Sequence, residues 1–151
     1  MRRPASWKWS NVPVPGVYVA LLLAGLVVHV FVRWGLFRQA WVGHAVGWPM
    51  AVIGLLVVIW AVWTIEAMDI SKPTAIVITG PYGLSRNPMY VAWTFIYAGI
   101  GIIVNSVWPL MFLPVAIIFT HYISVIHEEH RLEEEFGDEY RRYRNKVRRY
   151  L

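Results

Sequence analysis

The sequence predicts an all-α integral membrane protein of one domain, with four transmembrane helices and an amphipathic C-terminal helix in the cytoplasm. Three observations support this fold class. The 151 residues are 58% hydrophobic, above the roughly 45–50% of an average soluble domain. Four long apolar segments recur, at about 16–32, 48–68, 88–104 and 106–126. Charged residues are concentrated after residue 126, where seven of the nine acidic residues lie.

Each apolar segment is long enough to cross a bilayer as a helix, which takes about 20 residues with a range of about 17–25. Helices are favoured because an open strand edge in lipid would leave backbone groups unpaired. The first segment follows a short basic start, and no convincing cleavage site comes after it. We therefore expect a retained membrane helix rather than a signal peptide. Pro114, inside the fourth segment, is expected to kink its helix.

The connections between these segments predict the topology. Only Asn105 and Ser106 separate the third and fourth segments, so these helices must be antiparallel neighbours. Four crossings place the N-terminus, the loop 69–87 and the C-terminal tail on one side of the membrane. That side is rich in Lys and Arg, whereas the other side has only Arg33 and Arg38. Because basic residues mark short cytoplasmic flanks, we expect both termini in the cytoplasm.

The tail has the pattern of an amphipathic helix over about 127–149. Apolar and aromatic residues recur at spacings of three and four, which places them on one helical face. They are Leu132, Phe136, Tyr140, Tyr143, Val147 and Tyr150. Glutamates crowd the start of this helix and arginines its end, as the helix dipole favours, and Gly137 predicts a bend. We expect the apolar face to pack on the membrane domain and the basic end to lie on anionic lipid headgroups.

Composition also excludes several kinds of site. The chain has no cysteine, which rules out disulfides, thiolate nucleophiles and cysteine-ligated metals. It has no phosphate-binding loop and no soluble dinucleotide fingerprint. His127, His130 and the nearby glutamates match no strong metal motif, so we predict no metal. Acidic and basic residues balance in the tail, which argues against a nucleic-acid partner.

Two polar segments lie where the third helix begins and the fourth ends. They are GPYGLSRNPMY, residues 80–90, and HEEHRLEEEFGDEYRRY, residues 127–143. Because the two helices form a tight hairpin, both segments emerge at the same cytoplasmic end. We therefore expect Arg86 to lie near Glu128 and Glu129. A polar cluster at the membrane surface is a candidate functional site.

These motifs, in this order, resemble the isoprenylcysteine carboxyl methyltransferase superfamily, which is similar to the phospholipid N-methyltransferases. The resemblance covers about residues 79–151 and rests on GPY, RNPMY, the paired glutamates and FGDEY. It implies a C-terminal half that folds around S-adenosylmethionine at the cytosolic surface. It also implies a lipophilic substrate that enters sideways from the bilayer, with membrane lipids as further partners.

The resemblance assigns candidate roles to individual residues. The family's R-H/N-P-x-Y motif falls on Arg86, Asn87, Pro88 and Tyr90, with Asn87 where many carboxyl methyltransferases have His. The paired acids implicated in binding the methyl donor fall on Glu128 and Glu129. Gly99 and Gly101 match a G-x-G that phospholipid methyltransferases use for the donor, although small residues also allow close helix packing. The predicted catalytic residues are Arg86, Tyr90 and Glu129. The predicted cofactor-binding residues are Tyr82, Arg86, Asn87, Tyr90, Gly99, Gly101, His121, Glu128 and Glu129.

The chemistry of the donor agrees with these assignments. Arg86 can grip a carboxylate with two parallel hydrogen bonds, and a glutamate can accept from an ammonium or from ribose hydroxyls. Tyr82 and Tyr90 can stack on adenine or face the sulfonium through their rings. His121 precedes Glu128 by seven residues and lies on the same helical face, where it can line the pocket. An amine acceptor must lose a proton before methylation, and an acid such as Glu129 can receive it.

The sequence leaves the acceptor open. The F-G-x-x-Y-x-x-Y tail slightly favours methylation of an isoprenylcysteine-like carboxylate, whereas RNPMY and G-x-G fit a phospholipid amine equally well. Two further hypotheses remain. Sterol reductases, which use NADPH, have a related C-terminal pattern, and a membrane scaffold or lipid-binding protein would need no catalysis at all.

Overall fold

The computed structural model describes residues 15–65 and 75–151, and within these ranges it is helical and contains no strand. Six α-helices follow each other within residues 15–65 and 75–151. They are α1 (Gly16–Phe31), α2 (Ala40–Ile65), α3 (Pro88–Ile103), α4 (Val107–Thr120), α5 (Ile126–Phe136) and α6 (Asp138–Lys146). A 3₁₀ turn precedes α3 at Gly80–Gly83, and a π-helical turn, His121–Val125, joins α4 to α5. The all-α class predicted from the sequence is confirmed.

In the described part of the chain, two helical stretches are long and apolar enough to cross a membrane. They are α2, with 26 residues, and the continuous helix from Val107 to Phe136, with 30 residues. The other two apolar helices, α1 and α3, have 16 residues each. At 1.5 Å per residue these would span about 24 Å, which is less than a hydrocarbon core of roughly 30 Å. Four complete crossings therefore stay a prediction.

Two predicted boundaries are wrong. The second helix begins at Ala40 rather than near residue 48, and its predicted last three residues lie outside the described ranges. It starts early because its first turns pack closely on α3, where a Cβ on Gly43 would lie 2.6 Å from the Ile102 carbonyl oxygen. The fourth helix does not end near residue 126, because the π-helical turn carries it directly into α5.

The tail is divided by Gly137, as the sequence predicted. Its φ of 49° and ψ of −120° suit glycine and strain other residues. Helix α6 then runs to Lys146, and the last residues are not helical, so the predicted end of the tail helix at 149 is also wrong. Tyr140 and Tyr143 on the apolar face of the tail are buried, as expected.

Helices α3 and α4 form the predicted antiparallel hairpin. Asn105 makes the turn with a φ of 55°. Its side-chain oxygen accepts hydrogen bonds from the backbone N–H groups of Leu36 and Phe37, at 3.0 and 2.8 Å. Its amide nitrogen donates to the Phe37 carbonyl at 3.0 Å. One asparagine therefore ties the hairpin to the connection between α1 and α2, at the end of the bundle opposite the polar segments.

Helix α3 lies centrally and contacts α1, α2 and α4. Its contact with α2 is made through small residues, because a Cβ on Gly54 would lie 2.7 Å from the Ala92 carbonyl oxygen. On the other side, the rings of Tyr18 and Tyr97 meet edge to face with centroids 5.9 Å apart. This packing fixes the start of α3 and the start of α5 at one end of the bundle, where the polar residues collect.

Candidate functional site

A buried ion pair forms the centre of the polar cluster. Arg86 lies just before α3 and Glu129 lies in the first turn of α5, and Arg86 Nη2 is 3.5 Å from Glu129 Oε1. Their side chains are only 8% and 11% exposed. The sequence predicted this proximity from the short hairpin alone. Because desolvation opposes buried charge, such a pair persists only with further hydrogen-bond partners.

Arg149 is the main further partner of Glu129. Its Nε donates to Glu129 Oε1 at 3.1 Å, and its Nη2 donates to Oε2 at 2.8 Å, which makes a two-pronged contact. This hydrogen bonding raises the pKa of Arg149. The cluster contains two guanidinium groups and one carboxylate, so its net charge is positive. The sequence missed Arg149 because it placed the basic end of the tail on lipid headgroups.

Other tail arginines are also engaged within the protein. Glu133 accepts from Arg141 Nε at 3.0 Å and from Arg144 Nη1 at 2.7 Å. Arg141, Arg144 and Arg149 thus have acidic partners that the sequence did not predict, and the contact of the basic end with lipid headgroups stays a prediction. Their order along the chain suggested a dipole effect, and the bend at Gly137 instead brings them back to the acids.

The last five residues, 147–151, form a segment that we call the C-terminal strap. It lies along the residues before α3. Arg86 N donates to the Arg148 carbonyl at 2.9 Å. The Arg149 carbonyl accepts from Ser85 Oγ and from Asn87 Nδ2, each at 3.2 Å. The strap therefore holds the RNP motif through backbone atoms, which no side-chain pattern could have predicted.

The side chain of Asn87 makes hydrogen bonds within the protein. Its side chain is not a hydrogen-bonding helix cap, although Pro88 begins α3 directly after it. Instead Nδ2 donates to Glu129 Oε1 at 3.5 Å and to the strap. In this structure Asn87 orients Glu129, and the structure does not bring it to either of the two cavities described next.

The first of these, the arginine cavity, has a volume of about 100 Å³. Polar and aromatic side chains from the 3₁₀ turn, the RNP motif and the tail line it. They are Tyr82, Arg86, Glu128, Arg131 and Tyr143. Glu128 lines this cavity, whereas Glu129 lies in the ion cluster, so the paired acids face different surroundings.

Two features of the arginine cavity bear on ligand binding. Arg86 Nε is buried and has no hydrogen-bond partner, and such orphaned donors are rare in folded proteins. The rim is held by Tyr143, whose hydroxyl donates to the Tyr82 carbonyl at 2.7 Å. Burial raises the pKa of both Tyr82 and Tyr143, so both are neutral phenols at physiological pH.

The second, the tyrosine cavity, has a volume of about 270 Å³ and lies between α1, α3, α4 and the strap. Tyr18, Tyr90, His121 and Tyr150 line it among apolar side chains. His121 Nδ1 is 2.7 Å from the Tyr150 hydroxyl oxygen. Tyr90 therefore faces this cavity rather than the arginine cavity, although it lies within electrostatic reach of Glu128. The sequence did not predict Tyr18 or Tyr150 as lining residues, although it placed Tyr150 on the apolar face that was expected to pack on the membrane domain.

Gly99 and Gly101 are not brought to either cavity. A Cβ on Gly99 would lie 2.8 Å from Ala51 N and from the Gly47 carbonyl oxygen, both in α2. A Cβ on Gly101 would lie 3.1 Å from Leu110 Cδ2 in α4. Both glycines are covered by neighbouring helices, so the structure favours helix packing over the predicted contact with a cofactor.

The described structure thus has a charged cluster around Glu129 and a mostly apolar cavity lined by tyrosines. A family model described as phospholipid methyltransferase matches residues 42–139, about two thirds of the chain. The chain therefore belongs to the phospholipid methyltransferase family, and it is a membrane methyltransferase by that membership. No curated protein and no solved structure matches it.

Proposed function

We propose that this protein transfers a methyl group from S-adenosylmethionine to an amine on a lipophilic acceptor. Family membership supports methyl transfer in a membrane. The observation that carries donor binding is Arg86, which has a buried and unpartnered Nε in a cluster of net positive charge. An anionic group satisfies both the orphaned donor and the excess charge.

The residues of the arginine cavity suit the rest of the donor. Arg86 would hold its carboxylate, Glu128 would accept from its ammonium or ribose hydroxyls, and the rings of Tyr82 and Tyr143 would contact adenine. When bound, the donor supplies a methyl carbon on a positively charged sulfur, ready for displacement by a lone pair. The protein contributes alignment and the exclusion of water, because such a displacement needs little acid–base apparatus.

The tyrosine cavity is the proposed acceptor site. The rings of Tyr18, Tyr90 and Tyr150 present π faces or edges to one space, and ring faces attract cations. Among the described residues that line it, none is Lys or Arg, so a carboxylate would meet no permanently charged partner there. The aromatic rings and the lack of Lys and Arg among the described lining residues therefore favour an amine acceptor over a carboxylate. An isoprenylcysteine-like carboxylate is the second candidate, supported by the FGDEYRRY tail, whose Tyr140 and Tyr143 contact the site.

The proposed setting is a multi-pass membrane protein with four crossings and with both termini and the ion cluster in the cytoplasm. Large apolar side chains on the outer faces of α1 and α2 support contact with lipid, for example Leu23, Val27, Leu55 and Leu56. A water-soluble donor then reaches the cluster from the cytoplasm, while a lipid acceptor reaches the tyrosine cavity from the bilayer.

Calorimetry on detergent-purified protein tests the donor site. S-adenosylmethionine should bind, and Arg86→Ala should weaken its affinity at least about tenfold, since a charge-assisted hydrogen bond contributes about 1.5–3 kcal/mol. Arg142→Ala is the matched control, because Arg142 is exposed. Binding of a nicotinamide nucleotide instead would favour a reductase like the sterol reductases. Binding of neither would favour a scaffold or lipid-binding protein.

A further inference from the structure

His121 lies where the regular α-helical backbone of α4 is interrupted. It is the first residue of the π-helical turn between α4 and α5, and single π-helical turns within α-helices are frequent at functional sites. Its ring meets Tyr122 edge to face with centroids 5.0 Å apart. Its Nδ1 is hydrogen-bonded to the Tyr150 hydroxyl at 2.7 Å. The turn and the strap therefore fix this imidazole in position from two sides.

The side chains around His121 leave it as the one imidazole among phenols in the described lining of the tyrosine cavity. The titratable groups that face it are Tyr18 from α1, Tyr90 from α3, Tyr150 from the strap and Tyr122 from its own helix. All four are phenols, which ordinarily hold their proton up to about pH 10. Of the described side chains lining this cavity, His121 alone carries an imidazole, the side chain that most often serves as a general base.

The glutamates suit this role less well. Both carboxylate oxygens of Glu129 accept hydrogen bonds from Arg149, and Oε1 is also close to Arg86 and Asn87. A proton arriving at Glu129 would have to displace a guanidinium. Glu128 lines the arginine cavity and not the tyrosine cavity. The geometry thus disfavours the sequence-based suggestion that an acid such as Glu129 receives the proton.

We propose that His121 is the catalytic base that deprotonates the amine acceptor, and that Tyr150 positions it; this rests on the proposed function. In the tautomer in which Nδ1–H donates to the Tyr150 oxygen, Nε2 carries a lone pair. Nε2 takes one proton from the acceptor's ammonium, whose N–H electron pair stays on nitrogen. That pair then forms the new C–N bond as the C–S pair leaves with sulfur. One proton per methyl group passes from His121 to water.

The test compares His121→Asn, Tyr150→Phe and the exposed control His44→Asn, with a primary-amine phospholipid in mixed micelles as acceptor. His121→Asn should lower kcat at pH 7 at least about 100-fold, the usual range for a general base, with donor affinity unchanged within about twofold. Its activity should recover as the pH approaches that at which the free amine deprotonates, about 10. His44→Asn should match the wild type.

A second readout does not depend on turnover. Nitrogen-15 NMR of the imidazoles, with the His121 signals assigned by their loss in His121→Asn, reports the tautomer in donor-free protein. The wild type should carry its proton on Nδ1, and Tyr150→Phe should shift the tautomer ratio and move the pH profile of kcat. Tyr150→Phe removes one oxygen, so it also serves if His121→Asn folds poorly.

Three outcomes would overturn the assignment of His121 as the catalytic base. The first is a pH profile of kcat in His121→Asn that matches that of the wild type. The second is a loss of donor affinity in His121→Asn as large as its loss of kcat, which would assign His121 to donor binding. The third is a wild-type protein that binds the donor and forms only methyl esters, which need no base. The proposed function itself fails in a different way, by absence of donor binding and of any methyl transfer in the wild type.

Discussion

Glu129 holds the polar cluster together, because it is the only carboxylate found between Arg86 and Arg149 in the described structure. Its two oxygens serve two guanidinium groups and the Asn87 amide. The sequence predicted that Arg86 lies near Glu129 from the short hairpin. It could not predict Arg149, since that contact depends on the chain turning back after α6 and on backbone hydrogen bonds to Ser85 and Asn87.

Replacing the carboxylate of Glu129 by an amide should therefore destabilise the protein. Glu129→Gln leaves two guanidinium groups without their counter-charge, and breaking a buried ion pair typically costs about 3–5 kcal/mol. We expect the low end of that range, because Arg149 is partly exposed. Unfolding in mixed micelles measures the effect, with the exposed Glu135→Gln as the matched control. Equal stability of the two variants would mean that the cluster does not hold the strap.

At the scale of elements, the hairpin was predicted correctly and the start of α2 was not, and the contact between α2 and α3 explains the second outcome. The hairpin of α3 and α4 followed directly from the two-residue connection at Asn105 and Ser106. The start of α2 was missed because Gly43, His44 and Gly47 dilute the apolar pattern before residue 48. Those glycines are the residues that let α2 approach the backbone of α3 closely, so a tertiary contact decided the boundary.

The same contact predicts the behaviour of Gly99. Gly99→Ala would place a Cβ 2.8 Å from two backbone atoms of α2, which must then move. We expect a loss of stability of about 1–3 kcal/mol, the usual effect of overpacking. Gly16→Ala is the control, since nothing lies within 4 Å of its added Cβ. A Gly99→Ala protein that is fully stable and yet loses donor affinity would instead support the G-x-G contact with the cofactor.

At the scale of the whole molecule, the described structure has one charged region and one apolar region that could each bind part of a reaction. A positive, hydrogen-bonded cluster lies at the end of the hairpin, and an apolar cavity lined by tyrosines lies between the helices beside it. The strap contacts both, through Arg149 and through Tyr150. The sequence predicted that a charged donor meets a lipophilic acceptor, which stays a proposal, and the structure adds a segment that contacts both the cluster and the cavity.

The topology can be tested because the chain has no native cysteine. Gln39→Cys and Asn145→Cys each add one exposed thiol without changing a charge, so the distribution of basic residues is kept. In sealed membranes of known orientation, a membrane-impermeant maleimide should reach residue 145 only from the cytoplasmic side and residue 39 only from the other side. Labelling of both residues from one side would contradict the four-crossing arrangement.

The most direct test of methyl transfer to a lipid amine is to follow the methyl group into its product. Purified protein is incubated with S-adenosylmethionine labelled in its methyl group and with a membrane lipid extract. We expect label in a lipid, held in an N-methyl group that mild base does not release as methanol. Arg86→Ala should greatly reduce the amount of label transferred. Label released by base as methanol would mean a methyl ester and a carboxylate acceptor. Folded wild-type protein that binds the donor but transfers no label to any lipid would contradict the account.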